Sequence, residues 1–136
     1  MSKPIVLDAS AWLAVLLNED NADWARELIE KRPLYAPELV RYEAANGLLY
    51  ACRKRRLTMS KSVLEALLNV VGDFPIQVVS VDIWWKESVR LVREHSLTFY
   101  DASYVAVAVV LEMPLLSLDE KILDVMKREK VKGVSP

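Results

Sequence analysis

Four apolar runs, each too short to make a helix of ordinary length, punctuate this chain: Pro4-Ile5-Val6-Leu7, Leu34-Tyr35-Ala36, Ile76 to Val79 and Leu115-Leu116-Ser117-Leu118. A short continuous apolar run is the form taken by a strand that is covered on both faces, as strands of a parallel sheet are. The segments between them carry helical periodicity, at residues 9–17, 21–31, 37–55, 59–71, 82–94, 100–111 and 120–130. Strands alternating with helices specify an α/β fold, with a largely parallel central sheet of about four to five short strands flanked by helices. Residues 131–134 would add a final edge strand.

Local signals refine this reading. Ser10, Ser60 and Asp82 suit helix N-caps, and Pro37 suits the first turn of the helix that follows it. Trp24, Leu28 and Ile29 point inward from the second helix, and Leu39, Leu48, Leu49 and Cys52 from the third. Trp84 and Trp85 are adjacent on one helix and cannot share a face. One belongs to the core and the other to the surface or an interface.

With 136 residues the chain reads as a single domain, 1–136, and its 53% hydrophobic and 27% charged residues describe a globular protein. A formal net charge of −1 rules out a whole-molecule basic field, so any nucleic-acid contact must be local. One cysteine, Cys52, excludes an intramolecular disulfide framework and a cysteine-based zinc cluster. No apolar stretch reaches membrane-spanning length, and a cytoplasmic site is expected.

The chemistry concentrates in carboxylates. Asp8 and Asp119 each follow an apolar run directly, and in open parallel sheets ligands bind beyond the carboxyl ends of the strands. Asp101 begins the alanine-rich helix, where the dipole favours an anion. Glu43 lies inside a helix, on a stripe with Leu39 and Gly47, and Gly47 leaves space beside it. Two unit charges ~4 Å apart repel by roughly 4 kcal/mol at an effective dielectric of 20, so a cluster of four acids calls for a cation. An all-oxygen donor set suits Mg²⁺ or Mn²⁺. Plainer roles stand beside this one: Asp8, Asp101 and Asp119 as helix caps, and Glu43 as partner of Arg41 or of a lysine.

The segments Ile5-Val6-Leu7-Asp8-Ala9-Ser10-Ala11, Pro37 through Tyr42-Glu43-Ala44-Ala45-Asn46, Leu97-Thr98-Phe99-Tyr100-Asp101-Ala102 through Ala108, and Leu115 through Asp119 resemble the motifs of PIN-domain ribonucleases. Among these the chain is most similar to the VapC toxins of prokaryotic toxin–antitoxin pairs. The resemblance implies a PIN-like three-layer fold and a Mg²⁺ or Mn²⁺ site built from Asp8, Glu43, Asp101 and Asp119. It also implies supporting hydroxyls from Ser10 and Ser117, single-stranded or structured RNA cut at its phosphodiesters, homodimers, and inhibition by a small antitoxin protein. The basic residues Arg53, Arg55 and Arg56 offer RNA phosphate contacts, or simply oppose a helix C-terminal dipole.

Other residues carry weaker signals. His95 and Cys52 lack a catalytic setting, and Tyr100 suits core packing better than base stacking. A haloacid-dehalogenase-like phosphatase would need an aspartate where Ser10 stands, and a receiver domain would need a lysine after a late strand. A PIN-like interaction module, whose acids hold a structural ion without cleavage, is the remaining alternative.

Overall fold

The computed structural model describes residues 3–54, 59–134 and 136. Five strands, β1 (Ile5–Leu7), β2 (Leu34–Pro37), β3 (Gln77–Val79), β4 (Leu115–Leu116) and β5 (Gly133–Val134), form one sheet in the order β3-β2-β1-β4-β5. Every neighbouring pair runs parallel, with Val6 opposite both Tyr35 and Leu115. The helices are α1 (Ala9–Leu16), α2 (Ala22–Lys31), α3 (Leu39–Lys54), α4 (Lys61–Asp73), α5 (Val81–Glu94), α6 (Phe99–Leu111) and α7 (Glu120–Arg128).

Strand order decides where a site can form. From β1 the chain builds outward to β2 and β3, then returns to lay β4 and β5 on the other side of β1. The direction of winding therefore switches between β1 and β4, and a crevice opens beyond their carboxyl ends.

The apolar runs behave as their composition demands. Ile5, Val6 and Leu7 are fully buried, and so are Leu115 and Leu116. Each such side chain contributes roughly 1.5–3 kcal/mol by leaving water. Helix α6 lies against β1, β2 and β4 and is covered in turn by α5. It is accordingly buried without interruption from Ala102 to Ala108, and its alanines permit the close approach.

Several local expectations are corrected. Asp8, not Ser10, caps α1, because the residue that leaves the strand has the extended backbone a cap requires. Pro37 closes β2, opposite Val79 of β3, instead of opening α3. Ser80 precedes α5 as its N-cap residue, and Asp82 sits inside the first turn, accepting a hydrogen bond from the Ser80 hydroxyl. The run at Ile76 to Val79 is an edge strand with Gln77 exposed, not a covered one. On α3 the buried stripe is Val40, Ala44, Leu48 and Ala51, whereas Leu39, Leu49 and Cys52 are half-buried. Trp84 and Trp85 divide as expected: Trp84 is buried and donates its indole N–H to the Val79 carbonyl at 3.0 Å. Trp85 is half exposed and packs on Phe99, ring centroids 4.6 Å apart.

Gly47 does not leave room for Glu43. A Cβ there would fall 2.3 Å from Leu13 Cδ1, so the missing side chain is what lets α1 and α3 touch. Gly47→Ala should gain helix propensity yet destabilise the protein by about 1–3 kcal/mol through overpacking. Urea unfolding of the single variant and of its combination with Leu13→Ala checks this, since the two changes should be non-additive, with part of the loss recovered.

Candidate active site

Asp8 stands at the switch point, on the last step out of β1, and is 1% exposed. Its Oδ1 accepts hydrogen bonds from the Ala11 backbone N–H at 3.0 Å and from the Ser10 hydroxyl at 2.7 Å. Its Oδ2 accepts one from the Ser117 hydroxyl at 2.5 Å. Ser10 Oγ in turn accepts from the Leu118 N–H, and Ser117 Oγ from the Asp119 N–H, each at 3.0 Å. Two small hydroxyls thus stitch the end of β1 to the loop beyond β4, with the Asp8 carboxylate as the knot. Burial pushes the Asp8 carboxyl up to about 6; its three donors pull it down and the charge of Asp119 pushes it further up.

Asp119 caps α7, its Oδ1 accepting from the N–H groups of Lys121 at 2.8 Å and Ile122 at 3.3 Å. Asp101 is not the cap of α6. Thr98 is, its hydroxyl accepting from the Asp101 N–H at 3.1 Å. The Asp101 carboxyl is raised by partial burial and then by the charge of Asp119, against lowerings from the Thr98 side chain and then from Lys121. Glu43 projects from α3 and accepts a hydrogen bond from the Tyr104 hydroxyl at 2.5 Å. Partial burial raises it, Tyr104 lowers it, and Asp101 raises it again. Arg41 is not its partner, because that guanidinium donates to the Val71 and Phe74 carbonyls at 2.7 and 3.1 Å.

The four acids therefore occupy one rim and feel one another in sequence: Asp8 with Asp119, Asp119 with Asp101, Asp101 with Glu43. They are not drawn tightly together. Among the described residues, the trio whose ligand atoms all lie within 4.8 Å is Glu94, His95 and Glu129. That trio is an ion-pair network: Arg90 binds Glu87, Glu94 and Glu129, and His95 Nε2 lies 2.7 Å from Glu129. With a guanidinium already among these carboxylates, no second cation is called for. Among the described residues no salt bridge of this kind joins the rim acids, and the base that acts on them is Lys121, which lowers Asp101.

Tyr104 was not singled out from sequence as a site residue. Its signal was its place three residues after Asp101, on the same side of α6. Tyr100, expected in the core, is instead 64% exposed beside Glu43. Arg53 is exposed at the end of α3, while Arg55 and Arg56 lie outside the described residues.

The sequence model of the PIN domain family matches residues 5–128. The chain belongs to the PIN-domain family. Among curated PIN-domain relatives, it is 36% identical over 123 residues to VapC ribonuclease Mb0985 of Mycobacterium bovis, covering 88% of this chain and 89% of that one. It is 30% identical to ribonuclease VapC3 of Pyrobaculum aerophilum, covering 88% and 92%. Among solved structures, PAE2754 of Pyrobaculum aerophilum superposes with a TM-score of 0.67 at 27% identity, covering 90% of this chain and 84% of that one. The Mycobacterium tuberculosis toxin VapC20 superposes at 0.63 and 21% identity, covering 89% and 94%, a likeness of fold. No helix among the described residues is long and apolar enough to cross a membrane.

The buried acid of this PIN domain makes stability depend on pH. Asp8 has a folded pKa of about 6 against an ordinary 3.8. Well below pH 3.8 it is protonated in both states and contributes nothing. Between pH 4 and 6 the unfolded chain releases the proton and the folded one keeps it, so stability falls as pH rises and stays lower above 6. About two units correspond to about 3 kcal/mol. In EDTA, the stability of Asp8→Asn relative to wild type should therefore rise by about that amount from pH 4 to pH 6.5. Chemical denaturation across this range measures it, and a pH-independent difference contradicts the burial of the charge.

Proposed function

We propose that this PIN-domain chain is a metal-dependent endoribonuclease that hydrolyses RNA phosphodiester bonds, and that it serves as the toxin of a VapBC-type toxin–antitoxin pair in the cytoplasm. The observation that carries the reading is Asp8, an enclosed carboxylate at the switch point, coupled through Asp119 and Asp101 to Glu43. Such a set costs stability when empty and suits a hard divalent cation, Mg²⁺ or Mn²⁺, which needs only one or two direct carboxylates and keeps several waters. Asp8, Glu43, Asp101 and Asp119 would hold it. When bound, such an ion lowers the pKa of a water and neutralises charge on a phosphodiester.

The chain's own groups divide the remaining work. Ser10, Ser117 and the Ala11 N–H fix the Asp8 carboxylate in one orientation. Tyr104 does the same for Glu43, and Thr98 caps the α6 turn that carries Asp101. The names of the VapC relatives support the ribonuclease reading, and with it a cognate antitoxin. Cleavage of RNA should require added Mg²⁺ or Mn²⁺ and cease in excess EDTA. Asp101→Asn should cleave at least a hundredfold more slowly. It should also lose most of the metal-induced rise in melting temperature, which at a hundredfold excess over Kd is worth ~2.7 kcal/mol in wild type. Undiminished cleavage in EDTA refutes the proposal, whereas a metal-dependent melting shift without cleavage supports the interaction-module alternative.

A homodimer is proposed through α5. Val81, Trp85 and Val89, spaced one helical turn apart, are 50%, 50% and 46% exposed, and Val92 continues the stripe. An aliphatic face of this kind on a small domain marks an interface. Wild type at tens of micromolar should sediment as a dimer and the pair Trp85→Glu, Val89→Glu as a monomer.

A further inference from the structure

The chain has five tyrosines, and the three that are more than half exposed lie around one feature. Tyr42 and Tyr50 are 65% and 58% exposed on α3, and Tyr100 is 64% exposed at the start of α6. Tyr42, Asn46 and Tyr50 follow one another at intervals of four residues, so they line a single stripe of α3, and Arg53 stands three residues beyond. Tyr42, Asn46 and Tyr100 also line a cavity of about 480 Å³ together with Glu43 and Leu39. One end of this stripe is thus continuous with the rim of acids and the other ends at a base.

We infer that this face is a track for single-stranded RNA, in which bases along the strand stack on Tyr100, Tyr42 and Tyr50, the Asn46 amide meets a base edge, and Arg53 meets a phosphate. The inference rests on the nuclease reading and specifies the form of its substrate. Eight residues at 1.5 Å rise separate Tyr42 from Tyr50 by about 12 Å, roughly three stacked bases at 3.4 Å each. Stacking needs exposed π-faces and tolerates any base, and an amide supplies both a donor and an acceptor for an unpaired edge. A duplex could not use these rings, because its bases are already stacked.

The exposed large side chains of α5 are Val81, Ile83, Val89 and Val92 with Trp85, whereas those of α3 are tyrosines alone. Tyrosine and arginine also serve protein interfaces, so what selects RNA for this face is its continuity with the acids through Glu43 and the cavity, and the amide and guanidinium along it. The core does not account for these tyrosines, since each leaves more than half of its surface in water.

The test measures binding of a fluorescent eight-nucleotide single-stranded RNA to Asp101→Asn protein, with and without Tyr42→Ala or Tyr50→Ala. Each alanine change should weaken binding roughly 5- to 150-fold, the loss expected for one stacked base. Tyr42→Phe and Tyr50→Phe should retain binding, because the ring is kept. An RNA of the same length with abasic positions, equal in phosphate charge, should bind weakly and no longer distinguish the variants. Alanine variants that bind like their parent, or abasic RNA that binds as well as intact RNA, overturn the track. Alanine variants that sediment as monomers from a dimeric parent, with RNA binding unchanged, overturn it in favour of a subunit contact. The parallel cleavage assay keeps the two readings apart. Wild type that cleaves while its alanine variants match it overturns the track alone, and wild type that neither cleaves nor binds RNA overturns the nuclease reading and the track with it.

Discussion

The enclosed carboxylate of Asp8 and the hydroxyl groups that hold it join the two halves of the sheet. Ser10 belongs to the half that begins with β1, and Ser117 to the return through β4. Because both hydroxyls donate to the same carboxylate and each accepts a backbone N–H from the loop after β4, the position of that loop depends on this one group. Asp119, and through it the start of α7, is placed by the same contacts. A buried anion is a costly device for joining two segments. Three donors bear part of its charge, and a cation at the rim would bear the rest.

That economy explains the asymmetry between the two carboxylate clusters in the molecule. Around Arg90, acids from α5 and the residue ending α7 come within direct contact of a guanidinium and of His95, and the lowered pKa of Glu129 reflects that pairing. At the rim the shifts run the other way: Asp8, Glu43 and Asp101 are all raised, each with burial as the leading cause. Proximity of acids alone therefore does not identify a cation site. What distinguishes the rim is that its acids are desolvated and coupled, with no salt bridge to them among the described residues and Lys121 as the base that lowers Asp101.

Two surfaces complete the functional anatomy. The aliphatic stripe on α5 and the tyrosine stripe on α3 lie on different helices and differ in chemistry. A small nuclease with a net charge of −1 cannot capture RNA through its overall field. Affinity from base stacking, which does not depend on net charge, suits such a protein.

The sequence alone determined the strand–helix alternation, because short apolar runs set between segments of helical periodicity pack best as strands of a covered sheet, and it placed Asp8 and Asp119 beyond the carboxyl ends of two of them. It also made one of two adjacent tryptophans buried and the other exposed, since neighbours on a helix diverge by about 100°. What it left open were choices between near-equivalent residues. Asp8 over Ser10 as a cap and Thr98 rather than Asp101 as the cap of α6 turn on which residue keeps an extended backbone where the helix begins, and the α3 stripe through Val40 and Ala44 rather than Leu39 and Glu43 turns on which face meets a partner element. Gly47 shows the same limit, for the space it leaves is filled by Leu13 from another helix. Tyr104 on Glu43, and Ser117 on Asp8 across 109 positions of chain, are contacts that no local pattern encodes. Only the packing of α6 on the sheet and the return of β4 beside β1 bring them together, because hydrogen bonds act over about 3 Å while sequence patterns report only which side of an element faces inward.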